Sequence, residues 1–295
     1  MAVPGPRPDD IAYLTALVRA RDRPRYYATL FAARGLREDL FALYGLVAEV
    51  ERIPEQVSEP ALGEIRLQWW RDALLGAVQE GEQGQSPAVR AAAAVIERHR
   101  LPPAACAALI DAHGADLYSN APATIADLEA RLGETQSALF QMAAILAGSA
   151  GPETADAAGH AGVAYGLSRR LASFGADRAR GRTILPAALV AESGVAAAAP
   201  FSAPPAGLDE ALAALRDLAR RHLHLAAAEV SALPGLFRPI FLPLATVAPA
   251  LDRLEESAGS PSDLALLARI AWARVAGLAP SRGMKAIRRR AAQPR

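Results

Sequence analysis

The chain has 295 residues and a net charge of +1, and 52% of its residues are hydrophobic but only 5% are aromatic. Much of the hydrophobic content is alanine, which favours closely packed helices over sheets. The balanced charge argues against a general nucleic-acid-binding surface, and the single cysteine excludes an internal disulfide framework and a cysteine-rich zinc site.

No apolar stretch is long enough to predict a membrane-spanning helix. The most apolar stretch, 239–251, contains three prolines and is shorter than the roughly 20 residues that a span requires. The first ten residues include proline and aspartate and lack the apolar core of a signal peptide. We therefore expect a cytoplasmic protein without a transmembrane segment, and peripheral contact with the inner membrane stays open.

Helix signals occur at regular intervals in the first half of the chain. Asp9 and Asp10 can cap a first helix, and Pro54 is expected to end a helix that runs from Arg37 to Ile53. The remaining helices of this half are predicted over 25–33, from 60 to about 74, over 87–99 and over 102–118.

The second half continues the helical pattern. Thr124 and Asp127 resemble a capping box before a segment that runs to Leu146. Glycines at 159, 162 and 166 lie in a predicted helix over 153–174, where they permit a neighbouring backbone or ligand to approach closely. Three more helices are predicted over 208–232, 236–256 and 262–279, with prolines bending the middle one, and a basic tail over 284–295. Without alternating strand patterns, the sequence predicts an all-α fold.

Two carboxylates at the end of the 37–53 segment form a candidate metal site. Glu51 and Glu55 are four residues apart, so an unbroken helix would place both on one face. Such a pair could hold Mg²⁺ against a substrate diphosphate. The alternative is a solvated acidic face, because Pro54 interrupts the helix and Arg52 would compete with a metal for the carboxylates.

Basic and aromatic residues supply candidate ligand contacts. A basic loop is predicted over 175–185, after the glycine-rich helix, and its Arg178, Arg180 and Arg182 could cradle an anion such as a diphosphate, although a loop that is merely solvated is the alternative. Adjacent Trp69 and Trp70 cannot point the same way on a helix, so we expect one in the core and one near a cleft or the surface.

Three segments, in this order, resemble the squalene/phytoene synthase family: A-L-Y-G-L-V-A-E-V-E-R-I-P-E at 42–55, L-E-A-R-L-G-E-T-Q-S-A-L-F at 128–140, and G-V-A-Y-G-L-S-R-R-L-A-S-F-G-A-D-R-A-R-G-R-T-I-L-P at 162–186. The resemblance covers about 20–280. It implies one isoprenoid-synthase-type domain over 1–295, a helical bundle around a central cavity flanked by helices near 38–53 and 155–174. The candidate aromatic residues of this cavity are Tyr44, Trp69, Phe140 and Tyr165.

Active members of this family use two aspartate pairs to bind Mg²⁺, which draws the diphosphate from a prenyl substrate inside an apolar cavity. Here the acids differ. Glu51 and Glu55 occupy the first site, but at the second site Ser173 stands where the first aspartate belongs, and Asp177 alone survives. Arg169 occupies a position that is usually asparagine, and guanidinium groups there could hold an anionic ligand.

The resemblance therefore implies two alternatives. One is a degenerate, non-catalytic protein that binds a prenyl or lipid ligand through Arg169, Arg178, Arg180 and Arg182. The other is an active prenyltransferase that joins farnesyl or geranylgeranyl diphosphate head to head, with Mg²⁺ held by Glu51, Glu55 and Asp177. A third reading is a helical interaction module whose cavity is filled by side chains.

The segment 49–74, which includes I-R-L-Q-W-W-R-D-A-L, resembles one branch of the family in particular. This branch contains the mitochondrial complex I assembly factors and their bacterial relatives. The resemblance implies a non-catalytic role in building a membrane protein complex, with that complex as a partner.

Overall fold

The computed structural model describes residues 7–76, 86–118, 120–193, 207–256 and 259–278. Over these ranges the chain is helical and contains no strand, which confirms the predicted all-α fold. The first half contains α1 (Pro8–Arg21), α2 (Arg23–Thr29), α3 (Arg34–Glu51), α4 (Ile53–Gln56), α5 (Pro60–Leu74), α6 (Pro87–His99), α7 (Pro103–Ala112) and a 3₁₀ turn (His113–Leu117).

The second half is built around one long helix, α10 (Pro152–Ala179). Around it lie α8 (Ile125–Leu132), a π turn (Gly133–Ser137), α9 (Ala138–Leu146), α11 (Ala187–Glu192), α12 (Leu208–Ala232), a 3₁₀ segment (Arg238–Thr246), α13 (Val247–Glu255) and α14 (Asp263–Ala276). The predicted basic tail, 284–295, lies outside the described residues. No helix in the described ranges is both long and apolar enough to cross a membrane.

Two of three local predictions about helix ends and bends are confirmed. Thr124 Oγ1 accepts a hydrogen bond from the Asp127 amide (3.1 Å), and the Asp127 carboxylate accepts one from the Thr124 amide (2.9 Å), so the capping box is complete. Pro243 lies inside the 3₁₀ segment that precedes α13, as expected for a proline-bent helix. The cap at Asp9 and Asp10 is wrong.

The first helix begins at Pro8, one residue before the predicted cap, so both aspartates lie in its first turn. Asp10 is buried instead and accepts a hydrogen bond from Arg90 Nε at 3.0 Å. A carboxylate near the N-terminus of a helix still stabilises it through the helix dipole. Asp10 therefore serves as the partner of Arg90 in α6 and does not cap the first helix.

The glycines of α10 allow the π turn to pack directly on this helix. A Cβ atom added to Gly162 would lie 2.2 Å from the Ser137 backbone nitrogen, and one added to Gly166 would lie 2.7 Å from Leu132 Cδ2. Ser137 Oγ also donates a hydrogen bond to the Gly159 carbonyl at 2.8 Å. The predicted close approach of a neighbouring backbone is therefore confirmed, and it holds α10 against the π turn.

Replacing Gly162 with alanine is expected to lower the free energy of unfolding by about 2 kcal/mol, because the added methyl group would overlap backbone atoms of Ser137. Gly175 in the same helix is the matched control. It is exposed, and no atom lies within 4 Å of its added Cβ, so Gly175→Ala should stabilise the helix by about 1 kcal/mol. Urea denaturation of both variants measures the difference, and equal effects would contradict the packing seen here.

Candidate functional site

A cavity of about 530 Å³ opens between the ends of several helices. The junction of α1 and α2, the C-terminal end of α3, α4, the π turn, the second half of α10, α13 and α14 all contribute to its wall. Eight arginines and five carboxylates line it, an excess of three positive charges. The predicted central cavity is thus present, and its wall is rich in charge.

The central contact of this cavity is a bidentate ion pair between α3 and α10. Arg169 Nη1 donates to Glu51 Oε1 at 2.9 Å, and Arg169 Nη2 donates to Glu51 Oε2 at 2.8 Å. Gln136 Nε2 from the π turn adds a third hydrogen bond at 3.1 Å. Burial by itself would raise the pKa of Glu51, but the charge and hydrogen bonds of Arg169 outweigh it and hold this pKa well below its usual range.

The other two candidate metal ligands have arginine partners as well. Glu55 Oε1 accepts a hydrogen bond from Arg21 Nη2 at 2.9 Å. Asp177 Oδ1 accepts one from Arg182 Nη2 at 3.0 Å, and its second oxygen accepts one from Ser173 Oγ at 2.6 Å. Asp177 is therefore held by one arginine and one serine.

Two further carboxylates of the cavity were not singled out from the sequence. Asp22 follows α1 and lies 3.3 Å from Arg25 Nη1. Asp116 contacts Arg170 and lies 3.3 Å from His113 Nδ1. Burial opposes ionisation of Asp116, but the Arg170 and His113 contacts prevail and lower its pKa to about 2. All five cavity carboxylates thus have an arginine partner.

These contacts bear directly on whether the site fits Mg²⁺. A magnesium ion is held by oxygen ligands in near-octahedral geometry, whereas each cavity carboxylate accepts hydrogen bonds from a guanidinium group. Within the described ranges, no group of three or more His, Cys, Asp or Glu side chains is placed to hold a metal ion. The observed arrangement does not fit an Mg²⁺ site.

Glu51 and Glu55 reach the cavity by a route that differs from the predicted one. The third helix ends at Glu51, and the separate short helix α4 begins at Ile53. The two side chains therefore do not share the face of one continuous helix, as expected from the proline at position 54. Arg52, between the two helices, pairs with Glu49, and both candidate carboxylates still line the cavity.

The candidate arginines divide into three groups. Arg169 and Arg182 line the cavity but are held by carboxylates. Arg180 also lines it, and no ion pair of Arg180 occurs in the described part of the chain. Arg178 does not line the cavity, because α10 continues to Ala179 and directs this side chain elsewhere. The prediction that 175–185 forms a loop is wrong for its first five residues.

The candidate aromatic residues are only partly at the cavity. Tyr165 lines it, with its hydroxyl donating to Asp22. Tyr44 and Phe140 are buried in the core, where both rings contact the guanidinium of Arg25. Trp69 packs edge-to-face on Trp70 in α5, away from the cavity wall. The aromatic lining expected at positions 44, 69 and 140 is therefore wrong, since core packing and the α5 surface hold these three side chains.

Sequence reasoning missed two arginines that reach the cavity from the C-terminal third. Arg253 in α13 and Arg269 in α14 line it, and neither has a carboxylate partner among the described residues. Arg253 donates only a long 3.4 Å hydrogen bond to the Pro249 carbonyl. A signal existed for Arg269, because its spacing from Leu266 and Ile270 places it at the edge of a buried helical stripe.

Comparison with known proteins places this fold and site in a family. Residues 18–274 match the family model for squalene/phytoene synthase, so the chain belongs to the squalene/phytoene synthase family. A dehydrosqualene synthase structure superposes with a TM-score of 0.74 at 17% identity, covering 89% of this chain and 95% of that one. The squalene synthase HpnC from Alicyclobacillus acidocaldarius gives 0.63 at 19% identity, with 92% and 96% coverage. These similarities confirm the predicted fold.

Curated relatives belong to the predicted branch. The chain is 28% identical over 188 residues to NADH dehydrogenase (ubiquinone) complex I assembly factor 6 of Rattus norvegicus, covering 64% of this chain and 56% of that protein. The Homo sapiens protein of the same name is 27% identical over 174 residues, with 59% and 52% coverage. The match spans about half the length of these relatives.

Proposed function

We propose that this protein is a non-catalytic member of its family that binds a phosphorylated prenyl or lipid ligand without a metal ion. One observation carries the proposal. Each carboxylate of the cavity is neutralised by an arginine, while Arg180 from the end of α10, Arg253 from α13 and Arg269 from α14 reach the same cavity without a carboxylate partner in the described ranges.

The chemistry of the guanidinium group supports this ligand class. Arginine stays charged at every physiological pH and presents a planar set of donors that matches phosphate oxygens. Three such groups around one cavity would neutralise a diphosphate headgroup, as two magnesium ions would do in a metal-dependent site. They supply no polarised water and no open coordination position, so binding without ionisation of the ligand is the expected outcome.

Similarity to the assembly factors suggests where such binding would be used. The curated relatives carry the name of a complex I assembly factor, and we extend an assembly role for a respiratory membrane complex to this chain. We also place the protein in the cytoplasm, peripheral to the inner membrane. Deletion in the native host followed by native electrophoresis of membranes should show less assembled NADH dehydrogenase, and unchanged amounts would contradict this role.

Binding of farnesyl diphosphate in EDTA tests the proposed site. Calorimetry should give a measurable dissociation constant without Mg²⁺, and the triple variant Arg180→Ala/Arg253→Ala/Arg269→Ala should weaken it at least tenfold. One hydrogen bond to a charged group contributes about 1.5–3 kcal/mol, or roughly ten- to a hundredfold in affinity.

Arg274→Ala is the matched control for this experiment. Arg274 lies on the same helix as Arg269 but does not line the cavity, so its removal should leave the dissociation constant unchanged. Equal losses of affinity for farnesyl diphosphate in Arg274→Ala and in the triple variant would indicate a nonspecific charge effect and contradict the assigned site.

A second candidate function is Mg²⁺-dependent prenyl transfer. It is favoured by one observation, that Glu51, Glu55 and Asp177 all line a single cavity. Product analysis with radiolabelled farnesyl and geranylgeranyl diphosphates, with and without Mg²⁺, separates the two functions. Magnesium-dependent product that is lost in Glu51→Gln and Asp177→Asn would establish catalysis, whereas the non-catalytic proposal expects no product from folded protein.

A further inference from the structure

The last described helix, α14, exposes an unusually apolar outer face. Val275, Leu264 and Trp272 keep 86%, 76% and 68% of their surface in solvent, the three highest values among large hydrophobic side chains in the described residues. Single exposed hydrophobic residues are common on protein surfaces, but a group of them on one element marks an interaction site.

These side chains form a continuous stripe. Leu266, Ile270 and Ala273 are the buried residues of α14 and define its inner side. The helical period places Leu264, Ala268, Ala271, Trp272 and Val275 within one arc on the opposite side. No charged residue falls within this arc, and Arg269 and Arg274 lie on the two flanks of the helix, between the arc and the buried residues.

The outer face lies beside the cavity mouth. Ala265 and Arg269, both exposed, come from α14 and line the cavity on the side of the helix between its inner and outer faces. A molecule that enters the cavity from this side would pass along α14. The sequence that follows this helix, 277–295, adds five arginines and one lysine and no acidic residue.

We propose that α14 docks this protein on the surface of an anionic phospholipid bilayer. The helix lies parallel to the membrane plane, Leu264, Trp272 and Val275 insert into the headgroup region, and Arg274 contacts lipid phosphates. An amphipathic helix with an apolar face, a tryptophan and flanking basic residues has the chemistry of an interfacial segment. This inference concerns a surface outside the cavity and does not depend on what the cavity binds.

Charge complementarity favours a membrane over a protein partner. Arg274 flanks the stripe on the side away from the cavity and would face an anionic surface, and the following sequence has only basic charges. Polybasic segments next to an interfacial helix are attracted to anionic lipids, and this attraction weakens as salt rises. A protein partner would require no such excess of one charge around an apolar centre.

Vesicle co-sedimentation of the full chain tests the docking surface. Vesicles of phosphatidylcholine with about 30% phosphatidylglycerol, an anionic lipid that attracts basic segments, should bind the protein. The variant Leu264→Gln/Trp272→Gln/Val275→Gln should bind at least tenfold more weakly, and pure phosphatidylcholine should bind the native chain several-fold more weakly. Arg274→Ala should weaken vesicle binding while leaving farnesyl diphosphate binding unchanged.

The control places the same change on another surface. Leu62 and Ile65 on α5 keep 47% and 65% exposure, and Leu62→Gln/Ile65→Gln should retain native vesicle binding. Thermal melts should show that both variants are folded. Equal binding by the α14 variant and the native chain, or equal losses in the α5 control, would overturn the proposal. So would binding that does not require anionic lipid.

Discussion

Replacing Arg25 with alanine is expected to lower the free energy of unfolding by about 4 kcal/mol, the middle of the range for breaking a buried ion pair. The Arg25 side chain is 2% exposed and lies 3.3 Å from Asp22, which is itself 7% exposed. Its guanidinium also lies 4.7 Å from the Tyr165 ring centroid. Removing it would leave the Asp22 carboxylate buried with less compensation and would open a gap among packed rings.

The cost of this change follows from how Arg25 is surrounded. Three rings contact its guanidinium, those of Tyr44, Phe140 and Tyr165, with centroid distances of 4.7–5.2 Å. Two of its nitrogens, Nε and Nη2, are buried without a hydrogen-bond partner in the described structure. The aromatic faces and one carboxylate therefore compensate its burial, since cation–π contacts strengthen when water is absent.

Urea denaturation measures the effect, with Arg19→Ala as the control. Arg19 also lies over an aromatic ring, Tyr26, at 5.6 Å, but 57% of its side chain is exposed. Its replacement should leave the denaturation midpoint nearly unchanged. The double variant Asp22→Asn/Arg25→Met should lose less free energy of unfolding than the two single variants lose in sum. If Arg25→Ala unfolds at the same urea concentration as the native protein, the buried charge does not contribute to stability.

Local signals in the sequence were sufficient for much of the fold. Helix periodicity, the Thr124 capping box and the glycines of α10 depend on neighbours in sequence, and the structure confirms them. The order of three motifs identified the family because the bundle fixes their relative positions. These features could be predicted because each is determined within one or two helical turns, or by a pattern that the whole family shares.

The pairing of charges could not be predicted in the same way. Glu51 and Arg169 are 118 positions apart, and only the packed bundle brings them together. Arg253 and Arg269 reach the cavity because α13 packs on α10 and α14 packs on α2 and the 3₁₀ segment, which no local pattern reveals. Arg178 was assigned to the site because a loop was expected after residue 174, whereas the helix continues and turns this residue away. Helix ends are the least certain part of any such reading.

The chemical roles of the cavity carboxylates could not be predicted from the sequence either. From sequence, an acid near an altered family motif can be a metal ligand or an ion-pair partner, and spacing does not separate these roles. Ser173 illustrates the difference, because the family resemblance implies an aspartate at this position, and the serine found there donates a hydrogen bond to Asp177. The sequence shows the serine, but only the structure shows its hydrogen bond to Asp177.

Replacing Arg169 with alanine is expected to lower the free energy of unfolding by about 3 kcal/mol, the lower end of the range for a buried pair. The lower end applies because 29% of Arg169 and 17% of Glu51 remain exposed. The variant leaves Glu51 with one hydrogen bond, from Gln136. The double variant Glu51→Gln/Arg169→Met replaces both charges with neutral side chains. It should recover most of the stability lost in Arg169→Ala, since neither charge then remains buried.

The pH dependence of stability gives this prediction a second measurement. Because the pKa of Glu51 in the folded protein lies below its unfolded value, the pair stabilises the native chain above about pH 4.5, the ordinary glutamate range, and loses this contribution as pH falls. In Arg169→Ala the burial of Glu51 is no longer offset, so the pKa of Glu51 should rise. The loss of stability as pH falls should therefore be smaller than in the native protein. If stability falls with pH in the variant as it does in the native protein, Arg169 does not control the ionisation of Glu51. That outcome would remove the main electrostatic argument against a metal at this carboxylate.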